Sequence, residues 1–396
     1  MASEVEPEIS AVADIVKAAP PPQRFVGLDA LRGIAALVVV ILHYNLVVWP
    51  EIETSTFIGK SDSYLAVDFF IILSGFVLAH AFFDKPGFDL WDFTKKRLFR
   101  FWPLHIVTLL ATLTVMVAAH QSFDLRGVIL NTLLMHNVGI GHWGLAFNVP
   151  SWSLSVELAV NLIVGAFVVF APKRIEGLLL AGLAVLGGSV LLAWHHDLNV
   201  HRDNAFHFLN LGLMRGCLSF PLGILIYRFY RAHQESFARA SVLRNWLTGM
   251  LLVCFVASFY LPGGTRRDFL LIPAYALVVL AMAAPGSFWT GLLSRLRFLG
   301  NISFSLYLVH FVILRIMALV RPWPHGYIGG LFLALTVSVA AAWVTHQAFE
   351  QPVYVWLTAH WCKRGEGARL PDIALARLKS AKRRAAAWLP LPKQPN

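Results

Sequence analysis

Ten segments of this chain stay apolar for about as long as a helix needs to cross lipid, and that length fixes the class of fold. A helix rises about 1.5 Å per residue, so roughly 20 apolar residues cover a ~30 Å hydrocarbon layer. The segments run over residues 31–49, 65–83, 101–119, 152–171, 177–194, 206–227, 245–261, 269–284, 301–320 and 328–348. Lipid offers no partner to a backbone amide, so each must close its own hydrogen bonds as a helix. Composition agrees: only 14% of the 396 residues are charged and the mean hydropathy is +0.64, whereas soluble domains are about a quarter charged. The sequence predicts an all-α integral membrane protein of about ten transmembrane helices.

The positive charges give these spans a direction. With the N-terminus inside, 25 of the 33 Lys and Arg fall on the cytoplasmic side and six outside, with Arg215 and Arg315 within spans. That asymmetry predicts an N-in, C-in topology. It also accounts for the net charge of +11 without a nucleic-acid partner. Residues 1–23 are acidic and then Pro-rich (EVEPEIS, AAPPPQ), the reverse of a basic region followed by an apolar core. They are expected as a disordered N-terminal tail rather than a cleavable signal. Residues 24–350 are expected as the transmembrane domain and 351–396 as a basic cytoplasmic C-terminal tail. Residues 125–136 (LRGVILNTLLMH) are too short to span and are expected as an interfacial or re-entrant helix.

Ionisable side chains inside spans are costly and draw attention to function. In RFVGLDALRGIAALVVVILHY, Arg32 and His43 are eleven residues apart. At about 100° per residue they share one helical face, separated by about 16 Å along the axis. Arg32 sits at the cytoplasmic edge, where it also serves as an ordinary boundary cation; His43 lies deep in the outer half. The second span, AVDFFIILSGF, carries Asp68, and its Ser74–Gly75 pair permits close helix approach. Arg97 and Arg100 in KKRLFRFWP are three apart and share a face, suited either to snorkelling or to holding a phosphate. Pro103 suits the start of a helix better than its middle. In SWSLSVELAV, Glu157 lies about 9 Å below Ser151, as His43 lies about 9 Å below Trp49. His43, Asp68 and Glu157 are thus expected at one depth, and a carboxylate beside a histidine raises its basicity and fixes its tautomer. Tyr307 and His310 in GNISFSLYLVHF are neighbours on one turn, and Glu350 closes the last span beside Pro352, ready to pair with an arginine.

Other chemistries find little support. Cys217, Cys254 and Cys362 are far apart, with no disulfide framework or metal-ligand spacing. His195, His196, His201 and His207 crowd one outer loop without a standard ligand pattern, so no metal is expected. GxSxG, HExxH and a Walker loop are all absent, so soluble hydrolase and P-loop readings fail.

In order along the chain, RFVGLDALRGIAALVVVILHY, AVDFFIILSGFVL, KKRLFRFWPLH, SWSLSVELAV and GNISFSLYLVHF resemble the segments of the acyltransferase-3 family of multi-spanning membrane O-acyltransferases. The resemblance covers most of residues 24–350. It implies transfer of an acyl group, with acetyl the expected one, from cytoplasmic acyl-CoA to a hydroxyl of a carbohydrate or lipid-linked glycan at the bacterial inner membrane. No tightly bound cofactor is implied; acyl-CoA, expected as acetyl-CoA, is a co-substrate, and the acceptor saccharide and membrane lipids are the partners. It implies that His43 is essential, as general base or transient acyl acceptor, and that Arg32, Arg97 and Arg100 serve the donor. Glu157 matches the family's acidic residue, Asp68 falls in a matching segment, and Tyr307 and His310 are expected along the substrate path. The rival expectation is a transporter or exporter in which the same buried charges line a solute path.

Overall fold

The computed structural model describes residues 25–49, 62–139, 147–195, 197–200, 203–205, 208–238, 242–260, 264–320 and 326–362. The two expected tails fall outside these residues, except for the first part of the C-terminal one. In chain order the helices are α1 (Val26–Val47), α2 (Ala66–Leu78), α3 (Leu90–Ala118), α4 (Leu125–Thr132), α5 (Trp152–Phe170) and α6 (Lys173–Trp194). They continue with α7 (Leu211–Ala232), α8 (Val242–Ser258), α9 (Asp268–Ala283), α10 (Arg297–Val320), α11 (Gly326–Thr345) and α12 (Gln351–Trp361). A two-residue hairpin between Asn204–Ala205 and Leu209–Asn210 is the sheet structure among the described residues.

Each segment expected to span is helical over most of its described residues, but the helices are not equivalent. Seven stretches among the described residues are long and apolar enough to cross a bilayer: Val26–Val47, Ser63–Phe83, Leu90–Ala118, Val149–Phe170, Lys173–Trp194, Phe288–Val320 and Gly326–Trp361. Helices α8 and α9 are apolar but shorter. Helix α7 has 22 residues and buries Arg215 completely. This is a multi-pass membrane protein of all-α architecture.

Two boundaries differ from expectation for identifiable reasons. Helix α3 begins at Leu90, eleven residues before the expected start, because Asp89 caps it by accepting the Asp92 amide at 3.0 Å. Pro103 therefore lies inside the helix, and Arg97 and Arg100 stand in its first half, on a common helical face as their spacing implies. At the other end, α11 does not stop at Glu350. It passes through a π-helical turn, His346–Glu350, into α12, where Pro352 occupies an early position that needs no amide donor. The first residues of the expected C-terminal tail are thus helix. The interfacial segment forms α4, capped by Asp124, with Gly127 and Asn131 buried and Leu125, Arg126 and Ile129 exposed.

Two glycine seams bring parallel helices together. Gly33 of α1 faces Leu299 of α10, and a Cβ on Gly300 would collide with the backbone carbonyl of Asp29. Gly75 of α2 lies against Phe220 of α7, and Gly223 against Ile72. Without side chains at these points, backbones approach closely and gain dispersion contact, the main driving force between helices in lipid. The close approach read from Ser74–Gly75 is therefore realised, against α7. The first seam matters most for function, because it sets α1 and α10 side by side over their length.

Candidate active site

Helix α10 carries both ends of the site. On its first turns, Arg32 of α1 donates to Ser303 Oγ at 2.9 Å and to the Gly300 carbonyl at 2.7 Å. Arg100 of α3 lies over the Phe304 ring, 4.9 Å from its centroid, and forms a salt bridge with Glu350. Glu350 also accepts from Ser305 and pairs with His346 at 3.0 Å. Arg97 lies 4.4 Å from the centroid of Phe101, whose ring packs on Phe304. Arg32, Arg97 and Arg100 therefore gather round residues 300–305 of one helix.

Each of these cations already has a carboxylate: Arg32 has Asp29 at 3.4 Å, Arg97 has Glu157 at 2.6 Å, and Arg100 has Glu350. Such pairing is what makes buried guanidinium groups tolerable. It does not exhaust them, since a guanidinium has five N–H donors. Arg97 Nε is buried without a hydrogen-bond acceptor among the described residues.

About 10 Å further along α10 by helical rise, His310 meets His43. The contact joins His310 Nε2 to His43 Nδ1 at 3.1 Å, and both residues are buried. The surrounding carbonyls assign the protons. His310 Nδ1 lies 2.8 Å from the Leu306 carbonyl, which only accepts, so that nitrogen carries hydrogen and Nε2 is the lone-pair atom. His43 Nδ1 faces this lone pair and also the Val39 carbonyl at 3.1 Å. It must donate, and the basic lone pair of His43 is then on Nε2. Phe311 packs edge-on against the His43 ring, 5.5 Å between centroids.

Tyr307 links the two ends. Its hydroxyl is 2.9 Å from Ser153 Oγ, which in turn lies 3.2 Å from the Pro150 carbonyl. Its ring packs on Phe70 of α2 and lies 6.3 Å from the His310 ring. Arg215 and Glu157 are both near enough to act electrostatically on the hydroxyl.

The expectation that His43 sits beside a carboxylate of Asp68 or Glu157 does not match this arrangement. Asp68 is fully buried against α7, where Arg215 Nε approaches at 3.3 Å, a second guanidinium nitrogen makes the salt bridge, and Ser219 donates at 3.2 Å. Glu157 accepts from Arg97 and from Ser74. The imidazole partner that the structure gives His43 is another histidine. Depth estimated along each helix ignored how the helices lean and which way each side chain faces. Ser153 is level with Tyr307, so Glu157, one turn further along α5, belongs to the arginine layer.

Several residues of this site were not singled out from the sequence. Ser303, Tyr307 and His310 are spaced i, i+4, i+7, one helical face, and that periodicity was a usable signal for Ser303. Ser305 and His346 had none, and Ser74, read only as a point of close helix approach, gave no sign of its hydrogen bond to Glu157. Among the described residues no group of His, Cys, Asp or Glu could hold a metal; His195 lies 3.8 Å from Asp203, while His196, His201 and His207 fall outside the described residues.

Residues 25–346 match the family model described as an acyltransferase domain, family acyltransferase-3. The chain belongs to the acyltransferase-3 family. This acyltransferase is 27% identical over 384 residues to the acyltransferase MdmB of Streptomyces mycarofaciens, covering 89% of the present chain and 95% of that protein. It is 22% identical over 361 residues to the peptidoglycan O-acetyltransferase OatA of Listeria monocytogenes, covering 82% of this chain but 55% of OatA. It is 33% identical over 193 residues to protein 2 in the picA locus of Rhizobium radiobacter, covering 42% of the acyltransferase and 94% of that relative. No solved structure matches it at a significant level.

Proposed function

We propose that this acyltransferase moves an acyl group, acetyl in the simplest case, from acyl-CoA to a hydroxyl of a carbohydrate or lipid-linked saccharide. In this reading it sits in the bacterial inner membrane with all ten principal helices crossing and both termini cytoplasmic. The parallel packing of α1 with α10, and of α2 with α7, supports that topology. The observation that carries the reading is that one helix, α10, has three arginines gathered round its first turns and a tautomer-fixed histidine pair about 10 Å further along, near its middle.

The donor enters from the arginine end. Coenzyme A carries several phosphates, and the N–H groups of Arg32, Arg97 and Arg100 not used by carboxylates would bind them bidentately. The pantetheine arm is about as long as the 16 Å between Arg32 and His43, so it brings the thioester past Tyr307 to the histidines. The acceptor hydroxyl loses its proton to His43 Nε2 as its oxygen attacks the thioester carbonyl. The tetrahedral intermediate then collapses, the C–S bond breaks, and the departing thiolate takes the same proton from His43. His310 holds the ring and accepts the Nδ1 proton that stays in place throughout, the orienting role that a carboxylate fills in hydrolase triads. Asp68 and Glu157 serve by fixing Arg215 and Arg97.

Purified protein in detergent, given acetyl-CoA and a saccharide acceptor, is expected to release coenzyme A thiol and to label the acceptor. Solute flux in vesicles that is indifferent to acyl-CoA, with no thiol release, would overturn this reading in favour of a transporter.

A further inference from the structure

One flank of α10 is only partly covered by protein: Phe298 is 52% exposed, while Ile302 is buried. Helices α1 and α11 stand on either side of it and leave a groove of about 620 Å³. Leu37 and Ile41 of α1, Phe298 and Ile302 of α10, and Val339 and Trp343 of α11 form its walls and floor. Each pair is four residues apart, so each helix contributes one continuous stripe along its axis. Thr336 is the one lining residue with a polar side chain.

The groove has a charged end. Arg295 lies three residues before Phe298, in the 3-10 turn Ser294–Leu296 that leads into α10, and Arg297 is the residue next to Phe298. Both arginines are exposed, and neither has a hydrogen bond or ion pair among the described residues. They differ in this from Arg32, Arg97 and Arg100, each of which has its carboxylate. On the opposite wall, Gln347 is exposed one turn past Trp343. Lipid tails gain nothing by leaving other tails for an apolar groove, because the bilayer is equally apolar. A groove in lipid therefore fixes where a chain lies, and selectivity must come from the headgroup. Two unpaired guanidinium groups at the mouth favour an anionic one.

We infer that this groove holds an acyl chain of one anionic glycerophospholipid, with its phosphate on Arg295 and Arg297. The site lies outside the histidine and arginine layers and is independent of the proposed acyl transfer. Native mass spectrometry of the purified protein, in micelles carrying phosphatidylglycerol and phosphatidylcholine in equal amounts, tests it. One phosphatidylglycerol is expected to stay bound, preferred about 30-fold from the pull of two arginines on an anionic headgroup, and inorganic phosphate should not displace it. Arg295→Gln/Arg297→Gln should abolish the preference, and Ala340→Trp, which fills the groove and leaves the arginines, should abolish retention. Ala340→Leu replaces it if the tryptophan variant misfolds. Equal retention of both lipids, or a preference unchanged in the double arginine variant, overturns the headgroup assignment. Retention unchanged with the groove filled, or displacement by phosphate, overturns the chain assignment.

Discussion

Replacing His310 by alanine separates the histidine pair without touching the base itself. The lost hydrogen bond is worth about 1 kcal/mol. The Val39 carbonyl, 3.1 Å from the same nitrogen, still holds the proton on His43 Nδ1, so the tautomer survives. What disappears is the second anchor of the ring, which leaves His43 able to pivot about its own helix. In the transition state the ring is an imidazolium, and a hydrogen bond to a charged group is worth about 1.5–3 kcal/mol, or about 10- to 160-fold in rate. His310 is about 10 Å from the arginine layer by helical rise, so the loss should appear in kcat with the acyl-CoA KM unchanged. Steady-state thiol release reads both constants, and a thermal midpoint in detergent controls for the cavity left by the ring. His310→Gln, whose side-chain carbonyl can accept from His43 Nδ1, should recover part of the rate. Combined with His43→Ala, the His310→Ala change should add nothing. If the two losses multiply, or if His310→Ala turns over at the normal rate, the positioning role is refuted.

Arg97→Gln leaves the Glu157 carboxylate without its cation, which in a largely buried pair costs about 3–5 kcal/mol; Arg97→Gln/Glu157→Gln should recover the thermal midpoint yet keep a raised acyl-CoA KM. Gly300→Val puts a branched side chain against the Asp29 carbonyl and should abolish both activity and stable folding in detergent by prising α1 from α10, whereas Gly182→Val, on an exposed stretch of α6 where a Cβ meets nothing, should keep both. His136, buried outside the spans beside the parallel ring of His105, has its pKa pushed down to about 3, first by desolvation and then by His105. Since an unfolded histidine titrates near 6.5, this fold is expected to be most stable above that pH and to lose about 2 kcal/mol by pH 5; a thermal midpoint that falls with acidification in the native protein and less so in His136→Asn checks the sign.

Length and hydropathy were enough to read the helices, because in lipid a long apolar segment has few alternatives to a helix. His43 was legible because a buried imidazole is costly wherever it lies, Arg97 and Arg100 because their spacing put them on one face of one span, and Arg32 because it shares a face with His43 at the same membrane edge as that pair. The pairing of these groups was not legible. Depth along a helix says nothing of the azimuth that points Asp68 at Arg215, nor of the antiparallel passage of α3 along α5 that carries Glu157 to Arg97. The His43–His310 contact depends on the glycine seam between α1 and α10, and the sequence holds many glycines that look the same. The extension of α11 into α12 depends on a π turn, and Pro352 reads from sequence as a stop.

In the proposed reaction His43 is the group that handles the proton during acyl transfer. Thiol release from acetyl-CoA by purified His43→Ala, measured beside the unmodified protein and with coenzyme A affinity determined separately, tests this most directly. The rate is expected to fall at least about 100-fold, the contribution of a general base, with coenzyme A affinity unchanged. Thiol release at the normal rate in His43→Ala would contradict the account.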